Sequence, residues 1–278
     1  MAMMVVLAAV LLTYGVSTGI AMEAGTSSAV AGENSVLPLD MAENSVDDMY
    51  YRCKDQMKKR VSADLEDEKN KDQKFKKVWE SSNDLRNFKE GTHSLRRDQI
   101  VAISYYTSGE DNAYLDFNTA VRTQGPQYET TFRYHALHFL LTTAIQDERA
   151  FEEKLRNTKY CLTGYRRVNR YFSQPVINTQ FRFGSFTSAT LNKLYPNKEL
   201  FGEKSCFQIE TCMGVDVSIY SKFEDAEAEV LIPPYEVFEV VEIKKRLKSE
   251  LPCEVVYIVK STKTPVSKLD CSLFPNSA

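Results

Sequence analysis

The chain has 278 residues, of which 43% are hydrophobic and 26% are charged, as in an ordinary globular protein. Its 35 Lys and Arg residues against 38 Asp and Glu residues give a formal net charge of −3. This balance argues against a nucleic-acid binder, which usually carries a clear basic excess. At about 150 residues per domain, the length predicts one large or two small domains.

The N-terminal segment has the pattern of a secretory signal peptide. An unbroken apolar run from Met3 to Leu12 is followed by small residues up to Ala21, and this run is too short to span a bilayer. We therefore predict a signal peptide over residues 1–21 and a product that is secreted or held in the secretory lumen. Residues 22–46 contain acidic but no basic side chains and predict a poorly ordered leader.

The C-terminal residues do not predict a membrane attachment. A glycolipid anchor signal needs roughly 10–20 terminal apolar residues, whereas this end of the chain carries Lys260, Lys263, Lys268 and Asp270. No internal run is long enough for a transmembrane helix. From the sequence we expect neither a glycolipid anchor nor a transmembrane segment.

The chain changes character near residue 160. Residues 47–159 carry apolar side chains mostly at helical spacing, most clearly from Thr130 to Ile145. Short β-branched and aromatic segments, separated by turn signals, follow and predict strands. These segments are Tyr160–Val168, Thr179–Phe186, Cys206–Glu210, Val215–Tyr220, Ala228–Ile232, Val237–Ile243 and Cys253–Val259. Helices followed by strands predict an α+β fold, here one domain with a helical part (47–159) and a β part (160–275).

The six cysteines indicate an oxidising compartment. They lie at positions 53, 161, 206, 212, 253 and 271, and none of them has the Cys-x-x-Cys spacing of a zinc site. Disulfides are therefore favoured, and six cysteines allow fifteen full pairings. Three bridges, or two bridges and two thiols, are both compatible with the count.

A pair of carboxylates stands just before an apolar strand that two prolines end. Glu227 and Glu229 are two residues apart, so on a strand they share one face with about 7 Å between their Cα atoms. Their repulsion should raise one pKa. Cleavage at a sugar carbon passes through an oxocarbenium-like transition state, which a fixed carboxylate stabilises. The alternative is an exposed acidic loop, and the spacing alone favours that alternative.

Three other patterns carry potential chemistry. Arg166, between Tyr165 and Arg167 on a predicted strand, suits bidentate phosphate binding, or is a surface arginine on an edge strand. A second strand of aromatic residues ends in hydroxyl residues from Thr187 onward, which orient a ligand or form an ordinary turn. His135 and the histidine three residues later are interpreted as packed helix residues, and we predict no metal site.

Taken together, these stretches resemble a known family. Tyr-Arg at 165–166, Arg-Phe-Gly-x-Phe-Thr-Ser-x-Thr-Leu at 182–191 and Glu-x-Glu-Val-Leu-Ile-Pro-Pro at 227–234 stand in the order of the Arg-Ser-Glu signature of vertebrate ecto-mono-ADP-ribosyltransferases. The arginine-specific members carry Glu-x-Glu. The segment 134–142 resembles the helix that precedes the first strand in that family, and the resemblance covers residues 47–275.

The resemblance implies a role for each signature residue. Arg166 would hold the NAD diphosphate, and Ser188 would orient the catalytic carboxylate and the ribose. Glu229 would be that carboxylate, binding the ribose 2′-hydroxyl and stabilising the oxocarbenium ion, and Glu227 would orient the acceptor guanidinium and take its proton. Residues 220–226 would form the acceptor-recognition loop. The aromatic rings of Phe183 and Phe186 would line the nicotinamide pocket and contact the substrate.

The same resemblance implies the fold, the bridges and the partners. It implies the ADP-ribosyltransferase fold with an NAD-binding cleft in a mainly antiparallel β core, and the disulfides Cys53–Cys271 and Cys161–Cys212. Cys206 and Cys253 fall outside the family pairs and are candidates for a third bridge. NAD, or NADP, would be consumed as a substrate and no cofactor held permanently. The other partners would be protein acceptors that bear arginine, and the chain would be a monomer.

Two positions depart from the family pattern. Arg167 stands where the family usually has glycine, and Thr190 replaces the second serine of the Ser-x-Ser element. Three functions are therefore compared: transfer of ADP-ribose from NAD to protein arginine, hydrolysis of NAD on the same scaffold, and a secreted binding module without turnover. The transferase is the function that we predict.

Overall fold

The computed structural model describes residues 36–83, 94–193, 202–221 and 228–275, and in these ranges the helices precede all strands but one. The helices are α1 (Lys54–Lys71), α2 (Gln73–Ser82), α3 (Arg97–Thr107), α4 (Ala113–Thr123) and α5 (His135–Arg156). None of the helices in these ranges combines the length and the apolarity that a membrane crossing requires.

Helix α5 is the centre of the helical part. It overlaps the helix predicted over Thr130–Ile145, but it begins only at His135 and continues to Arg156. The buried carboxylate of Glu68, on α1, accepts hydrogen bonds from the amides of Ala136 (2.6 Å) and Leu137 (3.4 Å), which satisfies amides that a helix start leaves without intrahelical partners. Burial raises the pKa of Glu68, and these two amide bonds oppose the rise. The α1 carboxylate thus fixes where the central helix begins.

The strands form one large sheet and one small one. They are β1 (Val36–Leu37), β2 (Leu162–Val168), β3 (Tyr171–Phe172), β4 (Gln180–Phe181), β5 (Thr187–Thr190), β6 (Ser205–Thr211), β7 (Val215–Asp216), β8 (Glu229–Ile232), β9 (Phe238–Lys245) and β10 (Val255–Ser261). The eight-stranded sheet has the order β4-β9-β10-β6-β2-β5-β8-β7, and β1 pairs with β3. Among the described strands of the large sheet, only β10 and β6 run parallel. The α+β class and the mainly antiparallel core are confirmed.

The large sheet nearly divides between β2 and β5. Strand β2 pairs with β6 at seven successive residues, but it pairs with β5 only at Tyr165 and Thr190. On the far side of this point, β5 pairs with β8 over four residues. The two halves of the sheet therefore diverge on either side of a single bridge, and a cleft opens there.

One predicted strand, Thr179–Phe186, is two strands in the structure. Gly184 separates β4 from β5 and has a φ of +73°, a conformation that side-chain-bearing residues rarely adopt. A Cβ atom at this position would lie 2.4 Å from the Cβ of Ala42. Glycine suits this position because of the positive φ and because the N-terminal segment leaves no room for a side chain.

The prediction that residues 22–46 form a poorly ordered leader is wrong for residues 36–46. Strand β1 pairs with β3, and the fully buried Val46 donates its amide to the carbonyl of Val121 (2.6 Å). The carbonyls of Met41 and Ala42 accept hydrogen bonds from the buried guanidinium of Arg182. This segment is ordered by partners far away in the sequence. Residues 1–35, with the predicted signal peptide, lie outside the described residues.

Three disulfides are present. Cys53–Cys271 joins the start of α1 to the C-terminal segment, and Cys161–Cys212 joins the start of β2 to the end of β6, as the resemblance implies. The third bridge is Cys206–Cys253, which leaves no cysteine of the chain as a thiol.

Candidate active site

A cleft lies at the point where β2 and β5 diverge. It encloses about 670 Å³ of empty space, its open mouth included. Residues from four strands and two loops line it: Tyr165, Arg166, Arg167, Ser188, Ala189, Thr190, Asn192, Lys193, Cys206, Phe207, Glu229 and Leu251. The cleft therefore contains three of the four residues for which we predicted a catalytic role.

Arg166 crosses the cleft from β2 to β5. Its Nη1 donates a hydrogen bond to the main-chain carbonyl of Ser188 (2.7 Å). Burial lowers the pKa of the guanidinium, and Tyr106, Tyr114 and Glu229 oppose that change. An arginine remains protonated in any protein environment, so the cleft holds a fixed positive charge.

Ser188 stands on β5 opposite Leu231 of β8. Burial raises the pKa of Tyr106 on α3, and the side chain of Ser188 lowers it. The Tyr106 hydroxyl donates to the carbonyl of Phe186 (2.8 Å) and accepts from the Asn118 amide (2.9 Å). This network ties the hydroxyl end of β5 to two helices.

Glu229 opens β8, directly opposite Thr190. It is 5% exposed, and Ser221 Oγ donates a hydrogen bond to its Oε2 (3.2 Å). Its negative charge favours the protonated form of Arg166, which shows that the two groups interact across the cleft. A buried carboxylate and a half-buried guanidinium therefore stand on the two halves of the divided sheet.

Part of the predicted acceptor side lies outside the described residues. Glu227 and residues 222–226 belong to this part. The first two residues of the predicted acceptor-recognition loop, Tyr220 and Ser221, are described and buried.

The two phenylalanines predicted to line the nicotinamide pocket are not among the residues that line this cleft. Phe186 is 1% exposed and packs in the helical core, stacked on Phe117 with ring centroids 5.6 Å apart. Phe183 packs edge-on against Phe207 with centroids 5.7 Å apart. The phenylalanine that lines the cleft is Phe207, which pairs with Arg166 in the register of β2 and β6.

Sequence reasoning missed several residues of this cleft. Phe207 follows Cys206 in a strand whose pattern indicates only burial. Tyr106, whose hydroxyl bonds the backbone at Phe186 just before β5, precedes the signature by some sixty residues. Asn192 and Lys193, just after the hydroxyl motif, also line the cleft. Their place directly after β5 was the one available signal, since residues at strand ends often bind ligands.

The cleft is built for an anion and for a developing cation. A fixed guanidinium suits the diphosphate of a nucleotide, and a buried carboxylate stabilises positive charge on a sugar. In the described ranges, two clusters have metal-ligand spacing, and both include disulfide cysteines. Such sulfurs are not the thiolates that bind metals.

The comparison with known families identifies the fold. The family model described as NAD:arginine ADP-ribosyltransferase matches residues 39–252. The chain belongs to this family. The resemblance found in the sequence is thereby confirmed, and the match begins inside the segment that we predicted to be a leader.

Relatives of this transferase support the assignment. It is 35% identical over 211 residues to the chicken erythroblast NAD(P)(+)--arginine ADP-ribosyltransferase, covering 73% of this chain and 66% of the relative. It is 32% identical over 243 residues to the rat T-cell ecto-ADP-ribosyltransferase 1, covering 81% and 82%. The chain thus spans about two thirds of the length of the chicken relative.

A solved structure shares the fold of this transferase. It is a variant of the eukaryotic mono-ADP-ribosyltransferase ART2.2 in complex with NAD, with a TM-score of 0.65 and 28% identity over 84% of this chain and 99% of the other. The predicted ADP-ribosyltransferase fold is confirmed.

Proposed function

We propose that this transferase moves the ADP-ribose of NAD onto the guanidinium of an arginine in a protein acceptor and releases nicotinamide. One observation carries the proposal: Arg166, Ser188 and Glu229, from three strands, meet at one cleft. The names of the relatives and the NAD-bound structural neighbour support the same reaction.

The residues of the cleft divide the chemical work. We infer that Arg166 binds the diphosphate and that Ser188 orients the nicotinamide ribose. When the bond between the ribose C1′ and the pyridinium nitrogen breaks, its electron pair leaves with nicotinamide, which departs neutral and needs no general acid. The ribose is left as an oxocarbenium ion, and the carboxylate of Glu229 stabilises this cation and binds the 2′-hydroxyl.

The acceptor enters as a nucleophile that must lose a proton. A guanidinium nitrogen forms the new bond to C1′, and a carboxylate within reach takes the proton that this nitrogen loses. We assign this role to Glu227, two residues before Glu229. The assignment rests on the Glu-x-Glu pattern of the sequence.

The test is an assay of the full-length secreted protein with labelled NAD, with and without agmatine as the arginine mimic. We expect labelled ADP-ribosyl-agmatine, together with a release of nicotinamide that rises when agmatine is added. Glu229→Gln should lower kcat by about 10²–10³, the usual cost of losing one transition-state electrostatic contact. Glu242→Gln, an exposed carboxylate change on β9, is the matched control.

Two other outcomes would overturn the proposal. Nicotinamide release that is equal with and without agmatine, with no labelled agmatine, would identify a NAD glycohydrolase. Binding of NAD by a folded protein with neither product would identify a binding module.

Finer properties belong to the same proposal. NADP is proposed as a second substrate because Arg167 and Lys193 add two cations to the lining of the cleft, and the name of the chicken relative includes NAD(P). Secretion is supported by the three disulfides and by relatives named as ecto-enzymes. We also propose a monomer, which light scattering of the purified protein would test.

A further inference from the structure

The turn after β7 folds directly over the carboxylate of Glu229. Its first residue, Val217, donates its amide to the main-chain carbonyl of Glu229 (2.8 Å). The amides of Tyr220 (2.8 Å) and Ser221 (2.9 Å) then donate to the carbonyl of Val217. One helical turn therefore separates the backbone contact to Glu229 from Ser221, whose hydroxyl returns to the same residue at Oε2 (3.2 Å). Glu229 is held by this turn at its main chain and at its side chain.

A buried carboxylate of the helical part holds the other side of this turn. Glu148, on α5, accepts a hydrogen bond from the Tyr220 hydroxyl (2.9 Å) and another from the Ser94 hydroxyl. Glu148, Tyr220, Ser221 and Glu229 are each 5–6% exposed. Water is thus largely excluded from the path that runs from α5 through the turn to the site carboxylate.

The geometry points to Ser221 as a positioning residue for Glu229, with the Glu148–Tyr220 hydrogen bond holding Ser221 in place. This inference rests on the proposed function, in which Glu229 stabilises the oxocarbenium ion. A hydroxyl that donates to a carboxylate favours its ionised form and fixes the direction of its lone pairs. Both effects serve a carboxylate that must be charged and correctly aimed in the transition state.

Other groups also act on Glu229, and they stay the same when Ser221 is replaced. The guanidinium of Arg166 on β2 and the hydroxyl of Tyr106 on α3 both interact electrostatically with it. Arg166 favours the ionised carboxylate. Because both groups stay in place when Ser221 is changed, the difference between the variant and the natural protein reports the serine hydroxyl.

The experiment is the pH dependence of ADP-ribosyl-agmatine formation by the full-length protein. In Ser221→Ala, the acidic limb of the kcat profile should move to higher pH by about one unit, the typical cost of one hydrogen bond to a charged group. On that limb kcat should fall about tenfold, while KM for NAD should change less than about twofold. Ser221→Thr, which keeps a hydroxyl, should restore the natural profile.

Two further variants separate positioning from folding. Ser218→Ala removes a buried hydroxyl from the same turn, one that bonds Asp216 and not Glu229, and it should leave the acidic limb where it is. Tyr220→Phe leaves Ser221 intact but breaks the bond to Glu148, so it should shift the limb in the same direction by a smaller amount. If Ser221→Ala does not fold, the pH profile of Tyr220→Phe tests the positioning role of Ser221 instead.

The outcomes are distinguishable from those of the proposed function. If the natural protein transfers no ADP-ribose, the proposed function fails. If it is active and Ser221→Ala has the natural pH profile, or if Ser218→Ala shifts the limb equally, the role of Ser221 is refuted.

Discussion

Nη1 of Arg182 lies 2.6 Å from Oδ2 of Asp47, and both side chains are excluded from solvent. The same guanidinium donates to the carbonyls of Met41, Ala42 and Val266. The other oxygen of Asp47 accepts from the amides of Lys268 and Leu269, at 2.8 and 3.0 Å. A single ion pair thereby joins the N-terminal segment, the strand before the hydroxyl motif and the C-terminal segment.

Removing one partner of this pair should destabilise the protein strongly. In Arg182→Met, the carboxylate of Asp47 stays buried without its cation, and breaking a buried pair in this way typically costs about 3–5 kcal/mol. Urea denaturation at pH 7 with the disulfides intact measures the loss in the free energy of unfolding. The matched control is Lys58→Met, in an exposed pair with Asp55, which should cost less than about 1 kcal/mol. A loss below about 1 kcal/mol for Arg182→Met would contradict the structural role.

Removing one or the other carboxylate of the Glu-x-Glu pattern should affect the rates of transfer and of NAD hydrolysis differently. Glu227→Gln should suppress transfer to agmatine more than it suppresses hydrolysis of NAD, because only the guanidinium acceptor needs the base that we assign to Glu227. Glu229→Gln should suppress both reactions alike, since both pass through the same ribosyl cation. Parallel assays of labelled agmatine and of free ADP-ribose measure the two rates. Equal loss of both in Glu227→Gln would remove the assigned role.

Asp48 should make the stability of the protein depend on pH between about 4 and 7. Burial raises the pKa of Asp48 to about 7 in the fold, although hydrogen bonds from Cys271, Tyr128 and Tyr50 oppose the rise. The unfolded chain has lost this proton above about pH 4, so the folded state binds one proton more. Stability should therefore fall as pH rises through this window, by about 1.4 kcal/mol per pH unit from this group.

The variant Asp48→Asn isolates that contribution. An amide resembles the protonated carboxyl and does not titrate, so the decrease in stability with rising pH that is attributed to Asp48 should disappear. Other buried acids whose pKa is raised, such as Glu68 and Glu236, remain and cancel in the comparison. Urea unfolding at pH 5, 6 and 7 gives, for each of the two proteins, the slope of the free energy of unfolding against pH. Equal slopes for the two proteins would show that Asp48 does not titrate in this range.

Arg167 should influence which dinucleotide is used. It lines the cleft where the family usually has glycine, and its guanidinium donates to the carbonyl of Gly202 (3.3 Å) and lies 4.0 Å from the carboxylate of Glu203. Arg167→Gly should lower kcat/KM for NADP about tenfold more than for NAD, the effect of losing one charged contact to a phosphate. Arg170→Gly, outside the cleft lining, is the control. An unchanged ratio of kcat/KM for NADP to that for NAD would show that Arg167 does not bind the additional phosphate of NADP.

The sequence by itself determined the family and most of the elements, although it did not predict β1 or β3. Apolar spacing was sufficient for α5 because a helix repeats its buried face within a few residues. The strands of the β part were recognisable from β-branched and aromatic composition. The order of Arg166, Ser188 and Glu229 carried the resemblance, and with it two disulfides, although the spacing of Glu227 and Glu229 alone favoured an exposed loop.

Only the tertiary structure decided which residues meet. Residues 36–46 looked disordered in composition, yet two of their partners, Tyr171 and Arg182, lie more than 130 residues away in the sequence. The resemblance implied a place for Phe186 in the nicotinamide pocket, but its ring packs in the helical core. Phe207 lines the cleft instead, because the register of β6 places it opposite Arg166. The hydroxyl that hydrogen-bonds Glu229 belongs to Ser221, which a turn brings to the site. No pattern in the sequence predicted that turn. Local periodicity sets secondary structure, whereas burial and pairing between distant segments set the site.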